Sequence, residues 1–226
     1  MQSSLETEFA RIGQVQPHLP AAVALLIGLL ALAASAVPAV WVLTMHVNTI
    51  AHEGAHATMA SALGRRVLSV SMKADGTGLT LVQGGERAGT ILFQLVGYLG
   101  PSLFGLGAAK LIQIGHSIAV LWLGLVLLAC LLTVIRRSFG VVTVIAVGVV
   151  LFLIAAKASL GAQEATAYAV TWFLLLSGIR VIGEHGAKAG DAGELRKLAW
   201  MPGGFWSFLW MIGAVGALIV GAVLLV

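Results

Sequence analysis

Long apolar stretches separated by short polar ones run from residue 19 to the last residue of the chain. A helix needs roughly 20 predominantly apolar residues to cross the hydrocarbon core of a bilayer. Stretches near that length lie at 19–36, 38–63, 90–112, 117–135, 139–156, 165–182 and 204–226. They predict seven membrane spans, or six if the first two are one element interrupted at Pro38, a residue that either starts a helix or kinks it. Residues 1–18 carry Glu6, Glu8 and Arg11 and lack the basic start and small-residue cleavage site of a signal peptide, so they are read as a retained tail.

Two polar intervals are longer than the others. Within 65–88, Leu68, Val70 and Met72 alternate with Ser69, Ser71 and Lys73, and Asp75-Gly76-Thr77-Gly78 precedes Leu79 and Leu81. That period of two predicts a β-hairpin with a glycine-rich turn. The interval 183–202 holds Glu184, His185, Lys188, Asp191, Glu194, Arg196 and Lys197. The expected fold is an all-α integral membrane protein, a bundle of six to seven transmembrane helices with a small cytoplasmic β-hairpin. Residues 19–226 form one membrane domain with no evident internal repeat.

Composition sharpens this reading. The 226 residues are 59% hydrophobic and only 10% charged, with a mean hydropathy of +1.01, whereas soluble domains are about one quarter charged. The net charge of +4 does not imply a nucleic-acid partner, because the basic residues are dispersed among short loops. Assigned to alternate loops, Arg11, Arg65, Arg66, Lys73, Arg87, Arg136, Arg137, Arg180, Lys188, Arg196 and Lys197 fall on one side, and only Lys110 and Lys157 on the other. The positive-inside rule makes the first side, with the N-terminus, cytoplasmic in a multi-pass protein of the cell membrane. The single cysteine, Cys130, lies in an apolar stretch, so neither a disulfide framework nor a cysteine zinc cluster is available.

Candidate chemistry sits inside the second stretch, at His52-Glu53-Gly54-Ala55-His56. Residues four apart share a helix face, so both imidazoles can hold one zinc while Glu53, a step round, accepts a proton from water there. Ionisable side chains within a bilayer cost ~2.5 kcal/mol or more in the worst cases, so this cluster needs partners or a function. The bland reading is a hydrogen-bonded network between helices. Leu63 lies about 15 Å along a helix from Glu53, which puts the motif in the cytoplasmic half of the bilayer. Asn48, one turn before His52, either orients a ligand or the oxyanion, or bonds to a neighbouring helix.

Catalytic zinc takes three protein ligands and keeps a position open. The chain has only two aspartates, Asp75 and Asp191. Asp75 precedes a glycine in a turn, where aspartate is common for backbone reasons. Asp191, with Glu194 three residues on, fits a helix N-cap as well as a ligand. Glu184, His185 and Glu194 also fit a solvated loop. Gly97-Tyr98-Leu99-Gly100-Pro101-Ser102 reads either as tight packing at a kink or as a broken helix whose free backbone groups hold an unwound substrate. The hairpin edge around Leu68 and Val70 either pairs with an extended substrate by strand addition or merely caps the bundle.

Together, the His52-to-His56 motif in a span, the glycine-bearing hairpin, Gly97 to Pro101, and Asp191 ahead of Leu195, Pro202 and Trp206 resemble the site-2 protease family of intramembrane zinc metallopeptidases. The similarity is closest to its short bacterial branch without a PDZ domain and covers about residues 38–210. It implies one zinc per chain held by His52, His56 and Asp191, water activated by Glu53, and a membrane-embedded protein or peptide as substrate. The departure is Gly190-Asp191-Ala192 in place of Leu-Asp-Gly. The competing expectation is a non-proteolytic membrane protein: a metal-binding or transport protein, or an inactive relative that binds transmembrane partners. A transporter would place polar residues in several spans, but the fourth, fifth and seventh stretches are almost wholly apolar. An inactive relative would more readily have lost Glu53.

Overall fold

Pro38 starts a helix instead of kinking one. Its missing N–H is no loss in a first turn, and Val37 before it is extended, with φ −76° and ψ 118°. In the computed structural model, which describes residues 10–186 and 190–226, two helices therefore meet there, α1 (Ala21–Ala36) and α2 (Pro38–Ala62), at 98° to one another. Residues 1–9 of the expected tail and Lys188 lie outside the described residues. After the hairpin strands β1 (Val67–Met72) and β2 (Gly78–Val82) come α3 (Arg87–Gln113), α4 (Ser117–Val134), α5 (Ser138–Lys157) and α6 (Leu160–His185). A short α7 (Asp191–Ala199) and the long α8 (Gly203–Leu225) complete the chain.

Among the described residues five helices, α3 to α6 and α8, are long and apolar enough to cross a membrane, and there are six candidate spans if the bent α1–α2 pair counts as one. The expectation of seven separate spans is therefore reduced. With 16 residues, α1 is about 24 Å long, short of a hydrocarbon core of roughly 30 Å. The most apolar stretch of α6 is 56% buried against 22% for α5, so α6 is central and α5 peripheral.

The described start of the chain lies at the end of the bundle opposite the arginine-rich turns. The Gln16 N–H donates to Gly115 O at 2.7 Å, and Gln16 Oε1 accepts from the Ile118 N–H at 3.3 Å. That is the α3–α4 turn, next to Lys110. At the other end Arg65 donates to Thr90 Oγ1 (3.1 Å) and Glu86 O (2.9 Å), while the Arg136 N–H donates to Val70 O (2.9 Å). Arg11 thus parts company with the arginines it was expected to join, because α1 and α2 traverse the bundle once between them.

The hairpin lies along α2 and does not cap its end. Val70 opposes Thr80 and Met72 opposes Gly78, and Val70 and Met72 are fully buried with Ile50, Leu128, Leu131, Ile135 and Val144. Gly76, at φ +82°, permits the turn, and Thr49 donates from its hydroxyl to Gly76 O at 2.8 Å. Leu79 and Leu81 occupy the exposed face.

Helix α3 continues unbroken through Pro101. Glycine accounts for this region by close approach: a Cβ on Gly100 would overlap the Ala55 side chain, and one on Gly105 would crowd Leu175. Of the two readings of the Gly97 to Pro101 run, close packing fits this helix and a break does not.

Candidate metal centre

The helical spacing of α2 carries His52 and His56 to one face, toward α3 and α7. His56 is fixed first: its Nδ1 lies 2.8 Å from Phe93 O. A carbonyl only accepts, so Nδ1 bears the hydrogen and Nε2 presents its lone pair to the site. The His52 ring meets Tyr98 edge-on, with centroids 5.0 Å apart. Tyr98 in turn lies against Trp210, whose Nε1–H donates to Leu95 O at 2.9 Å. This aromatic wall holds α8 to α3.

The same wall aims Asp191. On α7, Ala192 and Leu195 are buried among Tyr98, Ile182, Trp206 and Trp210, and Asp191 lies one turn from Leu195 on that inward face. Its Oδ2 is 3.3 Å from His52 Nε2 and 3.2 Å from His56 Nε2. The cap alternative does not hold. The helix begins at Asp191 after Gly190 (φ 87°), with no side-chain cap.

Ligand atoms of His52, His56 and Asp191 all lie within 4.8 Å of one another, a cluster that could hold a metal ion. Two imidazole nitrogens and one carboxylate oxygen suit a catalytic zinc with an open position. The cluster fits only beside a glycine: a Cβ on Gly97 would overlap Asp191 Oδ2 and His56 Nε2. The absent side chain at Gly97 lets the three groups come together.

Glu53 is 3% exposed beside this cluster. The Thr80 hydroxyl donates to Glu53 Oε2 at 2.5 Å, and a Cβ on Gly78 would overlap Glu53 Oε1. Thr80, Gly78, Phe93 and the Tyr98–Trp210 pair were not legible as site residues. Only the alternation of β2 hinted that Gly78 and Thr80 share a face, and nothing local said that this face meets α2.

The remaining candidates fall elsewhere. Asp75 is a turn residue whose carboxylate accepts from the Thr77 N–H (2.9 Å) and hydroxyl (2.6 Å), which keep it below its ordinary range. Glu184 pairs with Arg180 at 2.9 Å and Glu194 with Lys197 at 2.6 Å, and the nearest acid to His185 is Glu184, at 3.9 Å. Asn48 accepts from the Ser177 hydroxyl at 3.0 Å, bonding to a neighbouring helix. Leu68 is exposed at an irregularity in the strand register. Val70 faces the core, and its edge of β1 is bridged by Ile135. Gly100 and Pro101 pack against α2 and α6.

The model of the family described as peptidase M50B-like matches residues 25–221. No curated protein and no solved structure matches the chain.

Proposed function

Because the chain belongs to the peptidase M50B-like family, we propose that it is an intramembrane zinc metalloendopeptidase that hydrolyses peptide bonds of membrane-embedded proteins. The observation that carries this reading is the convergence of His52, His56 and Asp191 within 4.8 Å, beside a buried carboxylate that none of them uses. His52, His56 and Asp191 would hold the metal. Bound zinc would polarise the scissile carbonyl and acidify the attacking water.

The chain's own residues supply the rest. Glu53 takes the proton from the water and delivers it to the leaving amine, and Thr80 holds its Oε2 in place through a hydrogen bond. Phe93 O fixes the His56 tautomer. The Tyr98 ring walls the His52 side and helps exclude lipid and water.

An intact substrate helix hides its peptide bonds in its own hydrogen bonds, so a segment must be unwound before attack. The outer edge of β2, next to Glu53, is better placed to pair with an extended segment than β1, whose edge Ile135 bridges at Val70. The arginine-rich end faces the cytoplasm. With Arg11 at the other end, nine Lys and Arg among the described residues still stand against three.

Replacing Glu53 by glutamine tests the assignment. The variant should keep one zinc per chain by elemental analysis yet lose cleavage of a membrane-embedded reporter. Unchanged cleavage would remove Glu53 from the chemistry.

A further inference from the structure

The face of α2 opposite the metal ligands borders a cavity of about 960 Å³, open between α2, α4, α5 and α6. Gly54, Ala57 and Ser61 of α2 line it, and a Cβ on Gly54 would meet nothing within 4 Å. At 3.6 residues per turn these positions lie roughly 100–180° round the helix from His52 and His56. Anything seated in this furrow is therefore separated from the metal ligands by α2 itself. A substrate helix would gain no access to the site from there.

The polarity of the furrow runs one way. Leucines and valines of α4, α5 and α6 line its length, while Arg65 and Arg66 lie at one end. Arg65 is committed to Thr90 and Glu86. The exposed Arg66 guanidinium has no side-chain partner among the described residues. The hydroxyls of Thr58 and Ser61 are satisfied by Gly54 O and Ala57 O of their own helix, so nothing along the wall demands a polar occupant. An apolar trough within the membrane that ends in a free guanidinium complements an amphiphile with acyl chains and an anionic head.

We propose that this furrow is a binding site for an anionic phospholipid, its acyl chains between α2, α4 and α5 and its phosphate end at Arg66. The site is independent of the peptidase reading, and Glu53→Gln should leave it unaltered.

Native mass spectrometry of the purified full chain in mild detergent, titrated with phosphatidylglycerol or phosphatidylcholine, tests it. One phosphatidylglycerol should be retained in preference to phosphatidylcholine. Arg66→Gln should weaken retention about fivefold, from about 1 kcal/mol per basic residue near an anionic headgroup. Ala146→Phe, which fills the furrow wall, should abolish it. The chain's single cysteine, Cys130, lines the furrow, so its alkylation by N-ethylmaleimide should slow when phosphatidylglycerol is added. Equal retention of both lipids, unchanged in Arg66→Gln, would overturn the proposal. So would Cys130 cross-linking to a second copy or to a peptide helix in phosphatidylglycerol vesicles, which would make the furrow a protein surface.

Discussion

At the residue scale the centre depends on a missing side chain as much as on the ligands present. His52, His56 and Asp191 converge only because Gly97 carries no Cβ. Gly97→Ala should therefore lower bound zinc as severely as loss of a ligand, even though alanine is the better helix former by about 1 kcal/mol. Asp191→Asn removes the anionic ligand and should also reduce zinc in elemental analysis of purified protein. Full occupancy in Asp191→Asn would move the third ligand elsewhere, and full occupancy in Gly97→Ala would show that the site tolerates the extra methyl. The two histidines and Glu53 were readable because their spacing is local, one turn of one helix. Asp191 was one of two equal alternatives from the residues alone, since a helix N-cap and a metal ligand ask for the same side chain. The fold places it 3.3 Å and 3.2 Å from the imidazoles of His52 and His56, within a cluster that could hold a metal ion.

At the element scale the hairpin changes role. Alternation of apolar and polar residues located both strands, because a two-residue period is written into sequence. It could not reveal that the strands lie along α2, with Thr80 bonded to Glu53 and Gly76 to Thr49. The hairpin is consequently a support for the proposed general base. Thr80→Val preserves the shape and removes the donor. A hydrogen bond to a charged group contributes roughly 1.5–3 kcal/mol, so kcat should fall about 10- to 100-fold with zinc content unchanged. A wild-type rate would show that packing alone positions Glu53. In α3 the composition Gly97 to Pro101 allowed either a break or close packing. The helix is continuous, and its small residues let Ala55 and Leu175 approach closely.

At the scale of the whole molecule, the course of α1 and α2 decides the topology. Gln16 bonds to the α3–α4 turn while the chain end of α2 reaches Arg65 beside Thr90, so the bent pair crosses the bundle once. Single cysteines introduced at Gln14 and Lys157 in a Cys130→Ser background should label with a membrane-impermeant thiol reagent from the same side, and one at Arg136 from the other. Labelling of Gln14 together with Arg136 would restore a full hairpin for the first two stretches. The sequence by itself determined a multi-span apolar bundle, the positions of the long helices and the two-histidine motif, since each rests on periodicity or composition within one segment. Tertiary structure decided that Asp191 joins the two histidines, the partner of Glu53, the bend at Val37 and the end of the bundle at which Gln16 lies. Each of those depends on which faces of segments far apart in sequence come into contact, and no local pattern encodes that.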